Sequence, residues 1–384
     1  MNLRDGRSGR GGHAALLAHF AKARRTAWPP LPLRPRGCCE GRWAGGGTQL
    51  RDRLRLEGVQ PAGPSVVRGG ATKKNCRARM HERETTDKND EKENVPMAEK
   101  KQALLLFSKP PVPGMVKTRL TTEHDGFLSP AQAAEFFKRS LYDVSELAMH
   151  ALMELQMEND AAVAADPSVD KVTYDFFVST TPAENVELMK ETYDAIGPWP
   201  MEIHYMTDKG ATFDDHFDYA FKEIFAQGYE HIVSVGGDIP TMPKSHIVQA
   251  FQWLDYFQSI GKPGFVQAPC QECGTSLVGF SHNTPMDHQG VYYNLDGRPA
   301  LDGYMEKLEE RDVPSAFLSP VADIDEKTDL AHAISCMRAI KQAAAFQTDL
   351  FVPQRVLDWV DYMGIQVITP PNDEHDPRQY IDQE

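Results

Sequence analysis

From residue 97 onward the chain predicts a three-layer α/β fold built on a mostly parallel sheet. Two observations predict it. Apolar runs of strand length alternate with stretches whose apolar residues recur at spacings of three and four, the pattern of helices laid over a parallel sheet. Two of the runs also break at once into proline- and glycine-rich loops, where open α/β sheets bind ligands.

The strand-like runs are 102–108 (QALLLFS), 172–179 (VTYDFFVS), 201–206 (MEIHYM), 231–236 (HIVSVG), 264–268 (GFVQA) and 277–281 (LVGFS). The first helix is predicted over 130–157, where Ala133, Phe136, Phe137, Leu141, Val144 and Leu147 share one face. Residues 154–170 read either as an inserted loop or as an extension of that helix. Further helices are predicted at 182–195, 212–227, 243–259, 300–311, 327–345 and 353–362. Together these make one domain over 97–350, with its first strand near the centre of the sheet. A C-terminal helix and acidic tail occupy 351–384.

Composition separates the first quarter from the rest. The chain holds 41 Lys/Arg and 55 Asp/Glu in 384 residues, a net charge of −14. Residues 1–96 carry 20 of the basic and 10 of the acidic residues, leaving 21 and 45 for 97–384. The leader is thus about +10, the remainder about −24. Arg, Gly and Pro dominate the leader (RDGRSGRGG, WPPLPLRPRG, WAGGG), and no apolar period persists there, so it is expected to be disordered. A basic nucleic-acid arm, a transit peptide over AALLAHFAKARR, and a start of translation at Met97 are the competing accounts of it. Because the basic excess is confined to the leader, no nucleic-acid partner is expected of the domain. No run of 18 apolar residues occurs, so no spanning helix is expected. Of the six cysteines, Cys38, Cys39 and Cys76 fall in the leader; Cys270, Cys273 and Cys336 remain. Cys270-Gln-Glu-Cys273 has no second CxxC and no nearby His pair, which disfavours structural zinc. A reducing, cytoplasmic location is the expectation.

Two constellations carry chemistry. The loop SKPPVPGMVKTRL follows the first strand. Pro110, Pro111 and Pro113 stiffen it and remove amide donors, and Gly114 allows a turn. Lys109, Lys117, Thr118 and Arg119 then gather phosphate-seeking groups in an otherwise acidic domain, without the spacing of a Walker A loop. The plain alternative is a solvated basic loop. In the second constellation, HIVSVGGDIPTMP, a strand runs into Gly236-Gly237-Asp238. A carboxylate there is placed to hold Mg2+ or Mn2+ against diphosphate oxygens, unless Asp238 is only a turn or cap residue.

These motifs resemble a bacterial glycosyltransferase family encoded beside radical-SAM and selenium-associated proteins, some of whose members are named for arsenosugar biosynthesis. LLLFSKPPVPGMVKTRL is similar to that family's first-strand signature. VGGDIPTMP is similar to its G-x-D-x-P-x-L motif, with Met242 in place of Leu. The likeness spans roughly 102–340. It implies the Rossmann-like, glycosyltransferase A-type fold of nucleotide-diphospho-sugar transferases, which guanylyltransferases carrying K-T-R-L and D-x-P elements share. Carried over, it makes Lys117 and Arg119 nucleotide-phosphate contacts, with Lys109, Gly114, Thr118 and Gly237 beside them, and Asp238 the metal-binding acid. In PCQECGTSLVGF, Glu272, Gly274 and Thr275 fall in the family's acceptor stretch E-D-G-G-Y-Y-L-I-G, where Cys273 replaces its Asp. VADIDEKTDL resembles D-x-D-T-x-x-D-L, which offers Asp323 and Asp325 to the metal; the alternative is that Asp325 and Thr328 cap the next helix. In KGATFDDHFDYAF, Asp214, Asp215 and His216 replace a glycine-leucine-glycine-glutamate-arginine run and are the candidates for a general base.

The function that follows is metal-dependent glycosyl transfer from a nucleotide-sugar to a small-molecule acceptor. Asp238, Asp325 and Asp215 are its candidate catalytic groups, and Asp238 and Asp325 its metal ligands. Nucleotidyl transfer from a nucleoside triphosphate is the alternative enzyme, and a non-catalytic nucleotide-binding protein the alternative from another class.

Overall fold

The computed structural model describes residues 99–347 and 349–368. The leader, Met97 and most of the acidic tail lie outside the described residues.

The first strand, β1 (Lys100–Phe107), alternates Ala103 and Leu105 on one face with Leu104 and Leu106 on the other, and all four are buried. Burial on both faces is what a central parallel strand requires. The long first helix, α1 (Pro130–Ala165), starts in a capping box: Ser129 Oγ accepts from the Gln132 amide while Gln132 returns a bond to the Ser129 amide. It runs unbroken through 154–165, so that segment is a helix extension and not an inserted loop. Next come β2 (Val172–Thr180), α2 (Asn185–Asp194), β3 (Ile203–Thr207), α3 (Phe213–Phe225), β4 (Tyr229–Gly236) and α4 (Lys244–Ser259). The second half holds β5 (Phe265–Pro269), β6 (Thr275–Ser281), α5 (Ala300–Glu310), β7 (Ser315–Phe317), α6 (Lys327–Ala343) and α7 (Gln354–Tyr362).

One seven-stranded sheet has the order β3-β2-β1-β4-β6-β5-β7. β1 pairs in parallel with β2 and β4, and β2 with β3, so the first strand is central as expected. β6 alone runs against its neighbours, antiparallel to both β4 and β5. On one face, Leu104, Leu106 and Val233 pack against α1, α2 and α4. On the other, Ala103, Leu105 and Ile232 pack against α3 and α5 through Phe217, Phe221 and Tyr304. A third cluster joins the start of α1 to α6 and α7 through Phe136, Ile334 and Trp359. The segment from 351 therefore contributes α7 to the same core. No helix among the described residues is long and apolar enough to cross a membrane.

Candidate functional site

A cleft of about 600 Å3 opens where β1, β2 and β4 end, with Phe107, Thr180 and Gly236 at its floor. The register explains this rim: Phe107 pairs with both Ser179 and Gly236, and Thr180 with Thr207, so the strand tips lie nearly flush. Because β6 runs antiparallel, it begins at this same rim and brings Thr275 and Ser276 into the cleft wall.

The cationic loop closes over the cleft from β1. Lys117 adopts a left-handed backbone conformation, φ 49° and ψ 39°, at the head of a short 3-10 turn over Thr118–Leu120. A non-glycine residue held there marks local strain that the surroundings must sustain. The result is an almost buried ammonium between two acids: Lys117 Nζ donates to Asp238 Oδ2 at 2.6 Å and to Asp325 Oδ1 at 2.7 Å. Arg119 donates to the other Asp325 oxygen at 2.5 Å, and its guanidinium stands 3.7 Å from Glu272. Burial works against the Lys117 charge, but Asp238 and Asp325 outweigh it and raise its pKa. Burial likewise works against the Asp325 carboxylate, and Lys117 and Arg119 pull its pKa below the ordinary value. The cluster read from the sequence as a positive site is therefore already countered by carboxylates.

Sequence-adjacent features place these acids. Gly236 leaves Asp238 its room: a Cβ at 236 would stand 2.7 Å from Asp238 Oδ1. The Ile324 amide donates to the Asp238 carbonyl, tying the Asp323–Asp325 segment to the loop that follows β4. Glu326 and Asp329, rather than Asp325 and Thr328, form the capping box of α6, and Asp329 also accepts from the Asp325 amide. The Asp325 side chain is thereby left for Lys117 and Arg119.

Lys109, Lys117, Gly237, Asp238 and Thr275 line the cleft; Asp325 joins them through Lys117. Gly114 turns the loop at φ 79°, and Thr118 and Arg119 follow outside the lining. Glu272 and Gly274 sit in the β5–β6 connection beside Arg119, where Glu272 and Cys273 both have left-handed backbones. Two of the three candidate bases are held elsewhere. Asp215 accepts from the Ala211 and Thr212 amides in the capping box of α3 and from Gln289. Asp214, nearly fully buried, accepts from the Gly290, Tyr292 and Tyr293 amides. His216 does line the cleft.

Sequence reasoning missed Asp208, buried just beyond β3 and facing the cleft. Ser179 Oγ donates to its Oδ2 at 2.7 Å, and His216 Nδ1 stands 2.6 Å from its Oδ1, close enough for an ion pair though angled off the line of a hydrogen bond. An acid directly after a strand and two residues before a glycine (MTDKG) was the available signal, a weaker form of the strand, double glycine and D-x-P that singled out Asp238.

Among the described residues no group of three or more His, Cys, Asp or Glu forms a ready-made metal cage. Asp238 and Asp325 nevertheless converge on one cation, the Lys117 ammonium. Two carboxylates brought to one point, open to a cleft, match the donor set Mg2+ or Mn2+ takes when phosphates complete its shell. The residues present therefore fit the metal. Cys270 and Cys273 are free thiols, and burial, reinforced by Asp323, pushes Cys270 up to about 12.

Asp323, next to this pair, has its carboxyl raised to about 6, first by burial and then by Asp238 and Asp325. A folded-state pKa above the ordinary value contributes stability that is fully present below the unfolded pKa, near 3.8, and is lost as pH rises through about 6. Urea midpoints of the wild type should therefore fall between pH 4 and pH 6 relative to those of Asp323→Asn. Parallel curves for the two chains would contradict the assignment.

Comparison with known proteins adds the following. Residues 165–294, about a third of the chain, match a family model described as "Uncharacterized protein conserved in bacteria (DUF2064)". No curated protein matches the chain. Among solved structures, it is similar to a candidate nucleotide-diphospho-sugar transferase from Desulfovibrio desulfuricans G20, at 18% identity over 68% of this chain and 96% of that one, TM-score 0.49. It is also similar to a cytidylyltransferase from Leptospira borgpetersenii serovar Hardjo-bovis (strain JB197), at 13% identity over 72% and 99%, TM-score 0.38.

Proposed function

We propose that the chain is a metal-dependent glycosyltransferase that moves a sugar from a nucleoside-diphosphate donor to a small hydroxyl-bearing acceptor. One observation carries this reading: Asp238 and Asp325 converge on a single cation position at the rim of a cleft formed by the ends of parallel strands. Asp238 and Asp325 would hold Mg2+ or Mn2+, whose charge, when bound, offsets that of the departing diphosphate. Lys117, released from both acids, and Arg119, released from Asp325, would turn to the phosphate oxygens, Arg119 with its fork and Lys117 as a point charge. The acceptor oxygen bonds the anomeric carbon as its proton passes to water in the open cleft, and the bond from that carbon to the diphosphate oxygen breaks, its electron pair leaving with the diphosphate. Glu272, Gly274 and Thr275 border the acceptor end. We assign the protein to the cytoplasm, where Cys270, Cys273 and Cys336 would stay reduced.

The closing loop favours a diphosphate donor over a triphosphate. Pro110, Pro111 and Pro113 have no N–H, so the loop is poor in the backbone donors that wrap a triphosphate chain. Isothermal titration of the full chain against nucleoside di- and triphosphates, with and without Mn2+, tests the reading. Metal-dependent binding of a diphosphate, weakened in Arg119→Ala, is the expected result. Preference for a triphosphate would favour nucleotidyl transfer, and nucleotide binding that never yields product with nucleotide-sugar donors would favour the non-catalytic alternative. Binding of neither would refute both enzymes.

A further inference from the structure

The opposite end of the sheet buries a second polar group. Five residues separate Gln102 from Phe107 on β1 and His231 from Gly236 on β4, so this group lies about 16 Å from the cleft. Gln102 pairs with His231, and His231 with Ser281. Their side chains therefore form a row across β1, β4 and β6, on the face that carries Leu104 and Val233. None of the three is more than 2% exposed. Four buried atoms of the row have no hydrogen-bond partner: Gln102 Oε1, both ring nitrogens of His231, and Ser281 Oγ. Buried polar atoms left unpaired in such number call for a partner from outside the chain.

Asp255, on α4, stands over the row. Its Oδ1 accepts from Gln102 Nε2 at 2.8 Å. His231 Nε2 lies 3.2 Å from the same oxygen but off the line of a hydrogen bond. The Asp255 side chain is 46% exposed, so the buried row opens to solvent through this carboxylate. Among the described residues, His231 is the one basic side chain paired with it.

We infer that Asp255 Oδ1, His231 Nε2 and the Gln102 amide oxygen hold a divalent transition-metal ion of the Zn2+ class. Ligand atoms about 2.1 Å from one ion, set at octahedral or tetrahedral angles, lie about 3.0 to 3.4 Å apart and point at the ion instead of at each other. His231 and Asp255 have that spacing and that misalignment. Turning the Gln102 amide over brings its Oε1 beside the same carboxylate oxygen, and water from the exposed side of Asp255 completes the shell. An imidazole nitrogen among the ligands favours Zn2+ over Mg2+ and Ca2+, which take oxygen. Only two of the three ligands are His, Cys, Asp or Glu, so the site agrees with the lack of a three-membered group of those types among the described residues. The ion would tie α4 to β1 and β4, and its site is independent of the nucleotide reading.

The test titrates the full chain, freed of metal by a chelator, with Zn2+ by calorimetry, and compares urea midpoints in Zn2+ and in chelator. Wild type is set beside Asp255→Asn, His231→Gln and, as a control at the cleft, Asp238→Asn. Wild type should bind an ion whose affinity falls at least about tenfold in Asp255→Asn and in His231→Gln, since loss of even an outer-shell partner costs that much. Asp238→Asn should hold the same ion within about twofold. Zn2+ should raise the urea midpoint of wild type and Asp238→Asn and leave those of the other two variants unmoved. Zinc binding and a midpoint shift that survive both Asp255→Asn and His231→Gln would overturn the site. Loss of the ion in Asp238→Asn alone would also overturn it, by placing the zinc at the cleft. A wild type that binds no Zn2+ would leave the His231–Asp255 contact a plain ion pair and refute the inference.

Discussion

Asp238→Asn is expected to keep its fold and lose metal-dependent nucleotide binding. The replacement has the same shape, the side chain is partly exposed, and Lys117 retains Asp325 as an ion partner, so unfolding should shift little. What disappears is one of two charges that converge on the cation position. Asparagine offers a neutral oxygen where a divalent ion needs carboxylate, and the remaining site has a single acid paired to two basic side chains. Loss of transfer on the order of a hundred- to a thousandfold is expected, the scale seen when one charge-stabilising group is deleted from an active site. Mn2+ titration followed by electron paramagnetic resonance, with and without a nucleoside diphosphate, reads the effect directly. Unchanged Mn2+ affinity would remove Asp238 from the metal site.

The largest stability effect is expected far from the cleft, at Asp143→Ala. Asp143 lies on α1, is 1% exposed, and reaches across to the start of α7. Its Oδ2 accepts from the Val356 amide at 3.0 Å, and its Oδ1 from Arg355 Nη1 at 2.9 Å. Since α7 begins after Pro353 with no side-chain cap of its own, this distant carboxylate caps it. Alanine would leave the Val356 amide unpaired and Arg355 bonded to Glu146 alone. The combined loss is expected to cost about 3 kcal/mol, visible as a lowered urea midpoint with an unchanged slope. Asp143→Asn, which keeps an acceptor for the Val356 amide, should recover part of it. A cost near zero for alanine would mean that the Phe136–Trp359 packing alone docks α7.

Most of the fold was legible because its signals are local. Strand runs and three-and-four spacings reveal themselves over a dozen residues or fewer, and the observed elements lie within a few residues of those expectations. The exceptions depend on partners distant in sequence. The segment Ser315–Phe317 is too short to announce a strand, and becomes one only because β5 offers it an edge. The reversal of β6 is set by its pairing between β4 and β5 rather than by any pattern in LVGFS.

The site divides in the same way. By itself, the sequence determined that acids and cations sit where strands end: Asp238 after Gly236-Gly237, Lys117 and Arg119 after a proline-rich loop, and Asp325 ahead of a helix. Residue type and neighbours are enough for that, since glycine and proline stop a strand wherever it packs. Only the tertiary structure decided which of them meet. It closed Lys117 onto Asp238 and Asp325 across 121 and 208 residues of chain, drew Asp214 and Asp215 away to backbone amides, and set the unannounced Asp208 against His216. The reason is geometric. Ion pairs and caps act over a few ångströms, and the distances that select among charged groups exist only once the sheet has brought its strand tips into line.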